Sequence, residues 1–201
     1  LGQGGMGVVY EARNANVGHI RYAIKTLLPG NTKTDSLHFL QEAMRASRVR
    51  SPHVVQIFDF GTDAATGLVY MVMDYIGEDL ERYATRCGGT LSPAMAVEFC
   101  AQACEALSAA HAENVVHRDI KPLNCLLRVE NGREIVVVTD FGIAREFQPA
   151  MATQDDAAHS EWTAVGTPGY VAPEVWLREA KADHRIDIYS VGAMLYKLVT
   201  G

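Results

Sequence analysis

A chain of 201 residues with 48% hydrophobic and 21% charged side chains can bury a substantial core, in one large domain or two small lobes. Its formal net charge of −6, without a lysine or arginine block, argues against a nucleic-acid or membrane-surface binder, although a nucleotide polyphosphate needs only local positive charge. No signal-peptide pattern and no membrane-spanning apolar run is read within these 201 residues, and the four cysteines (Cys87, Cys100, Cys104, Cys125) form no C-x-x-C pair, for which a reducing cytoplasm is the expected setting.

Residues 1–10 read as a strand, a glycine turn and a second strand, and residues 22–28 as another, partly buried strand. The pattern turns helical over 35–49, with Phe39, Ala43 and Ala46 on one face. Two β-rich runs, 54–60 and 68–76, flank a turn at 62–67. The first 76 residues therefore form an α+β unit. Beyond Gly77 the chain becomes mainly helical. Ser92 as N-cap and Pro93 at the first helical position start a helix running to about His111. Short strands are expected at 115–116, 125–129 and 134–138, with Asn131-Gly132 as a hairpin turn. Residues 143–170 lack periodicity and read as a long loop, and 186–200 as a final apolar helix. Cys100 and Cys104, four apart on the helix after Pro93, read as packing residues rather than metal ligands.

The chemistry concentrates in His117-Arg118-Asp119-Ile120-Lys121-Pro122-Leu123-Asn124, followed by Asp140-Phe141-Gly142. Asp119 is a candidate base for an incoming hydroxyl. Lys121 would neutralise charge on a transferring phosphoryl group. Asn124 and Asp140 are hard oxygen donors suited to Mg²⁺. His117 and Phe141 read as packing groups, and Arg118 as a cation able to pair with a phosphorylated loop residue. Gly2-Gln3-Gly4-Gly5-Met6-Gly7 fits G-x-G-x-x-G, a string shared with Rossmann turns and plain hairpin turns. Val8-Val9-Tyr10 continues as strand, which favours a hairpin flap over a nucleotide. Lys25, in Ala23-Ile24-Lys25, is either an edge lysine or one held against phosphates by Glu42. Asp187 is either a helix-start charge or an anchor accepting backbone hydrogen bonds from the segment around Asp119.

With Gly166-Thr167-Pro168-Gly169-Tyr170-Val171-Ala172-Pro173-Glu174 and Asp187-Ile188-Tyr189-Ser190-Val191-Gly192 added, the chain resembles the eukaryotic-type Ser/Thr protein kinase catalytic domain over essentially all 201 residues. The string Gly-Gln-Gly-Gly-Met-Gly-Val-Val-Tyr resembles the bacterial branch. The resemblance implies an α+β, two-lobed protein-kinase-like fold. Residues 1–76 would be a small, mostly antiparallel β lobe with one helix, and 77–201 part of a larger, mainly helical lobe with an activation segment at 140–174. Implied cofactors are ATP and Mg²⁺, with Mn²⁺ as a substitute. Gly2, Gly4 and Gly7 would cover the phosphates. Val9 and Ala23 would lie above the adenine and Leu126 below it. Met73 would be the gatekeeper, Asp74 to Ile76 the hinge, and Asp79 a ribose contact. Lys25 and Glu42 would form an ion pair.

Lys121 and Thr167 imply Ser/Thr specificity, with Thr167 in the substrate pocket. Thr163, then Thr153 and Ser160, are the implied activating phosphorylation sites. Partners implied are protein Ser/Thr substrates, with no nucleic acid and a possible homodimer for trans-autophosphorylation. The competing readings are a pseudokinase scaffold, a small-molecule phosphotransferase and an inactive fragment. Leu123 replaces a commoner polar or acidic residue, with little effect expected. The family has further helices beyond the position of Gly201, including an arginine that pairs with the counterpart of Glu174. Without them Val191, Leu195 and Leu198 are expected to be exposed, and these 201 residues alone to be poorly stable and weakly active.

Overall fold

The computed structural model describes residues 2–3, 7–28, 32–141, 166–177 and 183–201, without the side chains of Gln3, Lys33 and Glu42. Strands β1 (Gly2–Gln3), β2 (Gly7–Arg13), β3 (Arg21–Leu27), β4 (Ile57–Thr62) and β5 (Val69–Asp74) form an antiparallel sheet in the order β1-β2-β3-β5-β4. The register sets Ala23 opposite Met73 and Lys25 opposite Met71. Directly opposed residues share a face. Lys25 therefore belongs to the buried face with Ala23, Met71 and Met73, not to a solvent edge.

Helix α1 (Lys33–Ala46) packs on this sheet through Phe39 and Ala43, while Ala46 is buried in a separate cluster with Val49 and Val54. It starts two residues before the expected 35–49 span because Thr32 and Asp35 form a capping box, and it ends at Ala46 with Ser47 as C-cap. The strand expected from residue 54 begins instead at Ile57. The backbone of Val54 and Val55 is used elsewhere: the Val55 N–H donates to the Val138 carbonyl at 2.9 Å, and the Val138 N–H to the His53 carbonyl at 2.8 Å.

A second sheet of β6 (Glu78–Asp79), β7 (Cys125–Glu130) and β8 (Arg133–Val138) lies beyond that seam. Between β6 and β7 come α2 (Leu80–Arg86) and α3 (Pro93–Ala112). Sequence periodicity misses β6 and α2 because they are too short to repeat. A two-residue strand shows no alternation, and α2 has barely two turns. Ser92 caps α3 through the Met95 N–H, and Pro93 opens it. No strand forms at Val115 and Val116. Asn114 turns the chain with φ 58°, and the Val115 N–H returns to the Ala110 carbonyl at 2.9 Å.

The main core lies among α3, β7, β8 and α5 (Arg185–Thr200), after the short α4 (Pro173–Trp176). Ala96, Ala103, Ala106 and Ala110 give α3 a small-residue face on which α5 and β8 pack. Cys100 and Cys125 are buried core thiols, and burial pushes the Cys100 pKa up to about 11. Such thiols stay protonated, in keeping with a packing role.

The expected exposure of α5 is overturned. Val191 and Leu198 are buried, and Leu195 packs against the same core. The helix turns this stripe inward onto α3 and leaves Ile188, Tyr189 and Tyr196 outside. The two faces should separate on mutation. Leu198→Ala, at 2% exposure, should lower unfolding free energy by about 2–5 kcal/mol. Tyr196→Ala, at 72% exposure, should stay within about 0.5 kcal/mol of wild type. Urea unfolding measures both, and equal losses would contradict the assigned orientation of α5.

Candidate active site

The segment joining α3 to β7 has little regular structure, so its buried backbone donors need other partners. Asp187, on the first turn of α5, supplies them. Its carboxylate is 0% exposed and accepts the His117 N–H at 2.8 Å and the Arg118 N–H at 2.7 Å. His111 Nε2, from the last turn of α3, lies 2.8 Å from its Oδ2. A buried carboxylate is tolerable only when its lone pairs are filled in this way. The anchor holds Arg118 at φ 70°, a left-handed conformation that a non-glycine residue rarely adopts unaided. Sequence reading included the anchoring role of Asp187 among its alternatives but missed His111, whose only sequence signal was its place at the end of α3.

His117 is fully buried and works as a structural pin. Its Nε2–H donates to the Thr139 carbonyl at 2.8 Å, while Nδ1 accepts the Asp119 N–H at 3.2 Å. That pairing defines a single neutral tautomer. Burial, the largest influence, pushes its pKa below the ordinary imidazole value of 6.5. Phe141 packs edge-on against the ring at 4.8 Å.

The pinned loop presents a closed polar ring. Lys121 Nζ donates to Asp119 Oδ2 at 2.7 Å and to Thr167 Oγ1 at 2.6 Å, and the Thr167 hydroxyl donates to Asp119 Oδ1 at 2.8 Å. Asn124 Nδ2 reaches the Asp119 carbonyl at 2.7 Å and its Oδ2 at 3.1 Å. Asn124 sits on a 3₁₀ turn, Pro122–Asn124. Across from this ring, Lys25 Nζ meets Asp140 Oδ1 at 2.9 Å. Asp140 adopts φ 64° and retains partial exposure. Glu42 belongs to α1, but its side chain lies outside the described residues, as does Gly4.

A cleft reaches these groups through Asn124 and Asp140. Val9, Ala23, Met73, Asp74, Ile76, Asp79 and Leu126, all singled out from the sequence, line it together with Asn124 and Asp140. Gly2 pairs with Val9 through β1. Gly7 has a packing reason for lacking a side chain: a Cβ there would collide with the Thr26 carbonyl oxygen on β3. Leu123, from which little effect was expected, is half-exposed and lines the cleft, as do Glu78, Arg82 and Thr139, which sequence reading did not single out. Thr153, Ser160 and Thr163 lie outside the described residues.

Asn124 and Asp140 offer one amide and one carboxylate to the same cleft. That sparse set of hard oxygens fits Mg²⁺, which is bound by one or two carboxylates together with phosphate oxygens and water. Among the described residues no group of three or more His, Cys, Asp or Glu forms a protein-only metal cage, and no helix is long and apolar enough to cross a membrane.

Comparison with known proteins agrees in sequence and in structure. The protein kinase domain family model matches residues 1–201. Serine/threonine-protein kinase PknB of Mycobacterium leprae is 35% identical over 205 residues, covering 100% of this chain and 31% of that protein. Serine/threonine-protein kinase pkn3 of Myxococcus xanthus is 37% identical over 207 residues, covering 100% of this chain and 36% of that protein. The crystal structure of the Mycobacterium tuberculosis PknI kinase domain aligns with TM-score 0.72 and 26% identity, covering 98% of this chain and 71% of that one. The chain thus spans about a third of the length of the curated relatives it matches.

The buried, neutral His117 carries a pH signature. The unfolded chain takes up a proton near 6.5 that the folded site refuses, so the contribution is complete above that pH and is lost as pH falls below it. The slope from this group approaches about 1.4 kcal/mol per pH unit. Denaturant unfolding at pH 7.5, 6.5 and 5.5 should show stability falling on acidification, and His117→Gln should flatten that dependence. An unchanged slope in the variant would rule out His117 as its source.

Proposed function

The chain belongs to the protein kinase domain family, and we propose that it transfers the γ-phosphoryl group of Mg-ATP to serine or threonine hydroxyls of protein substrates. The observation that carries this reading is that Asp140, paired with Lys25, and Asn124, hydrogen-bonded to the Asp119 of the Asp119–Lys121–Thr167 ring, line one cleft. In that ring an aliphatic hydroxyl already donates to Asp119 Oδ1 at 2.8 Å, the contact that a substrate hydroxyl would make.

In this reading the acceptor oxygen bonds to the γ-phosphorus as the bond to the ADP oxygen breaks, and Asp119 takes the hydroxyl proton. Lys121 places positive charge beside the transferring group, and Lys25 beside the phosphates. Adenine lies between Val9 with Ala23 on one side and Leu126 on the other. Met73 closes the back, and the backbone from Asp74 to Ile76 forms the edge. Gly2, Gly4 and Gly7 would cover the phosphates. Asn124 and Asp140 would hold Mg²⁺, or Mn²⁺ in its place, which neutralises phosphate charge when bound. Productive binding would move Lys25 from Asp140 toward Glu42 and free Asp140 for the metal.

The same reading divides the chain into a small lobe, 1–76, and a larger one from 77, with an activation segment at 140–174. Phosphorylation at Thr163, Thr153 or Ser160, exchanged between two copies of the protein in the cytoplasm, would pair with Arg118.

Radiolabelled-phosphate transfer by the intact protein tests this. Asp119→Asn should lower kcat by about 10²–10⁴-fold while ATP affinity holds. Lys25→Met should also sharply reduce turnover. Full transfer by Asp119→Asn would remove the base from the mechanism, and labelling of metabolites but not proteins would change the substrate class.

A further inference from the structure

The corner between β6 and α2 carries an arginine that the family resemblance did not bring forward. Asp79 stands directly opposite Leu126 in the β6–β7 pairing, so the two side chains share a face, and both line the cleft. Asp79 is also the N-cap of α2: its Oδ1 accepts the Arg82 backbone N–H at 2.9 Å. The Arg82 guanidinium then turns back on the same carboxylate, with Nε 3.4 Å from Oδ2. The cap needs only the Arg82 backbone, so the side chain is an addition to it. That side chain is 63% exposed, while the Asp79 side chain is 10% exposed.

The next arginine on the helix behaves differently. Arg86 places Nε and Nη2 on the two oxygens of Glu78, each at 3.0 Å, and lies over the Tyr83 ring. Its guanidinium is committed to holding the corner together. Arg82 engages Asp79 through Nε, and among the described residues its terminal nitrogens have no hydrogen-bond partner. It too lines the cleft.

A carboxylate only accepts hydrogen bonds and a guanidinium only donates them. Side by side beside the base-floor residue Leu126, they complement a group that offers a donor and an acceptor on neighbouring atoms. A vicinal diol is such a group. Resting on the nucleotide reading above, we propose that Arg82 is a ribose-specificity residue: Asp79 accepts from one hydroxyl of the ribose diol, while Arg82 holds that carboxylate in place and donates to the oxygen of the other. The ligand class is a purine nucleotide with an intact 2′,3′-diol.

Equilibrium binding of ATP, 2′-deoxy-ATP and 3′-deoxy-ATP to the intact protein, without any turnover assay, tests the pair. Wild type should bind ATP about tenfold more tightly than at least one deoxy analogue. In Arg82→Ala, which retains the backbone cap, that preference should shrink to within about twofold, and Arg82→Lys should restore only part of it, since an ammonium lacks the planar fork. Thermal melts of both variants establish that the fold is intact, and Arg82→Gln serves if the alanine variant does not fold. A wild-type preference that survives in Arg82→Ala, or a wild type indifferent to both deoxy analogues, overturns the proposal. A wild type that binds none of the three nucleotides overturns the nucleotide reading itself.

Discussion

The carboxylate of Asp187 sits where no water reaches it and accepts hydrogen bonds from the N–H groups of two residues 70 and 69 positions earlier in the chain. Much of the site rests on that contact. A loop without a ladder has no intrinsic reason to keep one shape, and residues 115–121 would otherwise leave buried donors unsatisfied. The anchor couples the loop to α5, and His111 couples the same carboxylate to α3. Two helices of the main core thereby set the position of Asp119, although neither carries it. His117 extends the hold to the end of β8 through the Thr139 carbonyl.

A second constraint brings the two sheets into register with each other. The exchange of backbone hydrogen bonds between His53–Val55 and Val138 joins the segment before β4 to the end of β8. Asp140 follows Val138 by two residues, so the seam carries it toward β3 and within reach of Lys25. The cleft is what remains between the sheets once this seam is closed. Its apolar walls come from both sides, Val9 and Ala23 from one sheet and Leu126 from the other.

The long elements were legible because they repeat. Phe39, Ala43 and Ala46 mark the buried face of α1, and Ser92-Pro93 marks the start of α3, where the physics is local and sits within a few residues. Val115 and Val116 read as strand because β-branched residues favour extended backbone. The observed conformation instead answers to the turn at Asn114 and to Asp187. On α5 the apolar pattern was visible, but which neighbour would cover Val191 and Leu198 was not; α3 does so. Elements as short as β6 and α2 carry no period to detect, yet they place Asp79 and Arg82 on the cleft.

The order of chemical groups along the chain was enough to identify the family, since Asp119, Lys121, Asn124 and Asp140 come at spacings that few other architectures require. The same order also nominated Asp187 as a possible anchor. Partnerships were decided only in three dimensions. Lys25 meets Asp140 across 115 positions, and Thr167 closes on Asp119 across 48. Spacing and propensity act between near neighbours and are written into the chain itself. Which distant charges end up within 3 Å depends on how whole elements pack, and that is a property of the fold.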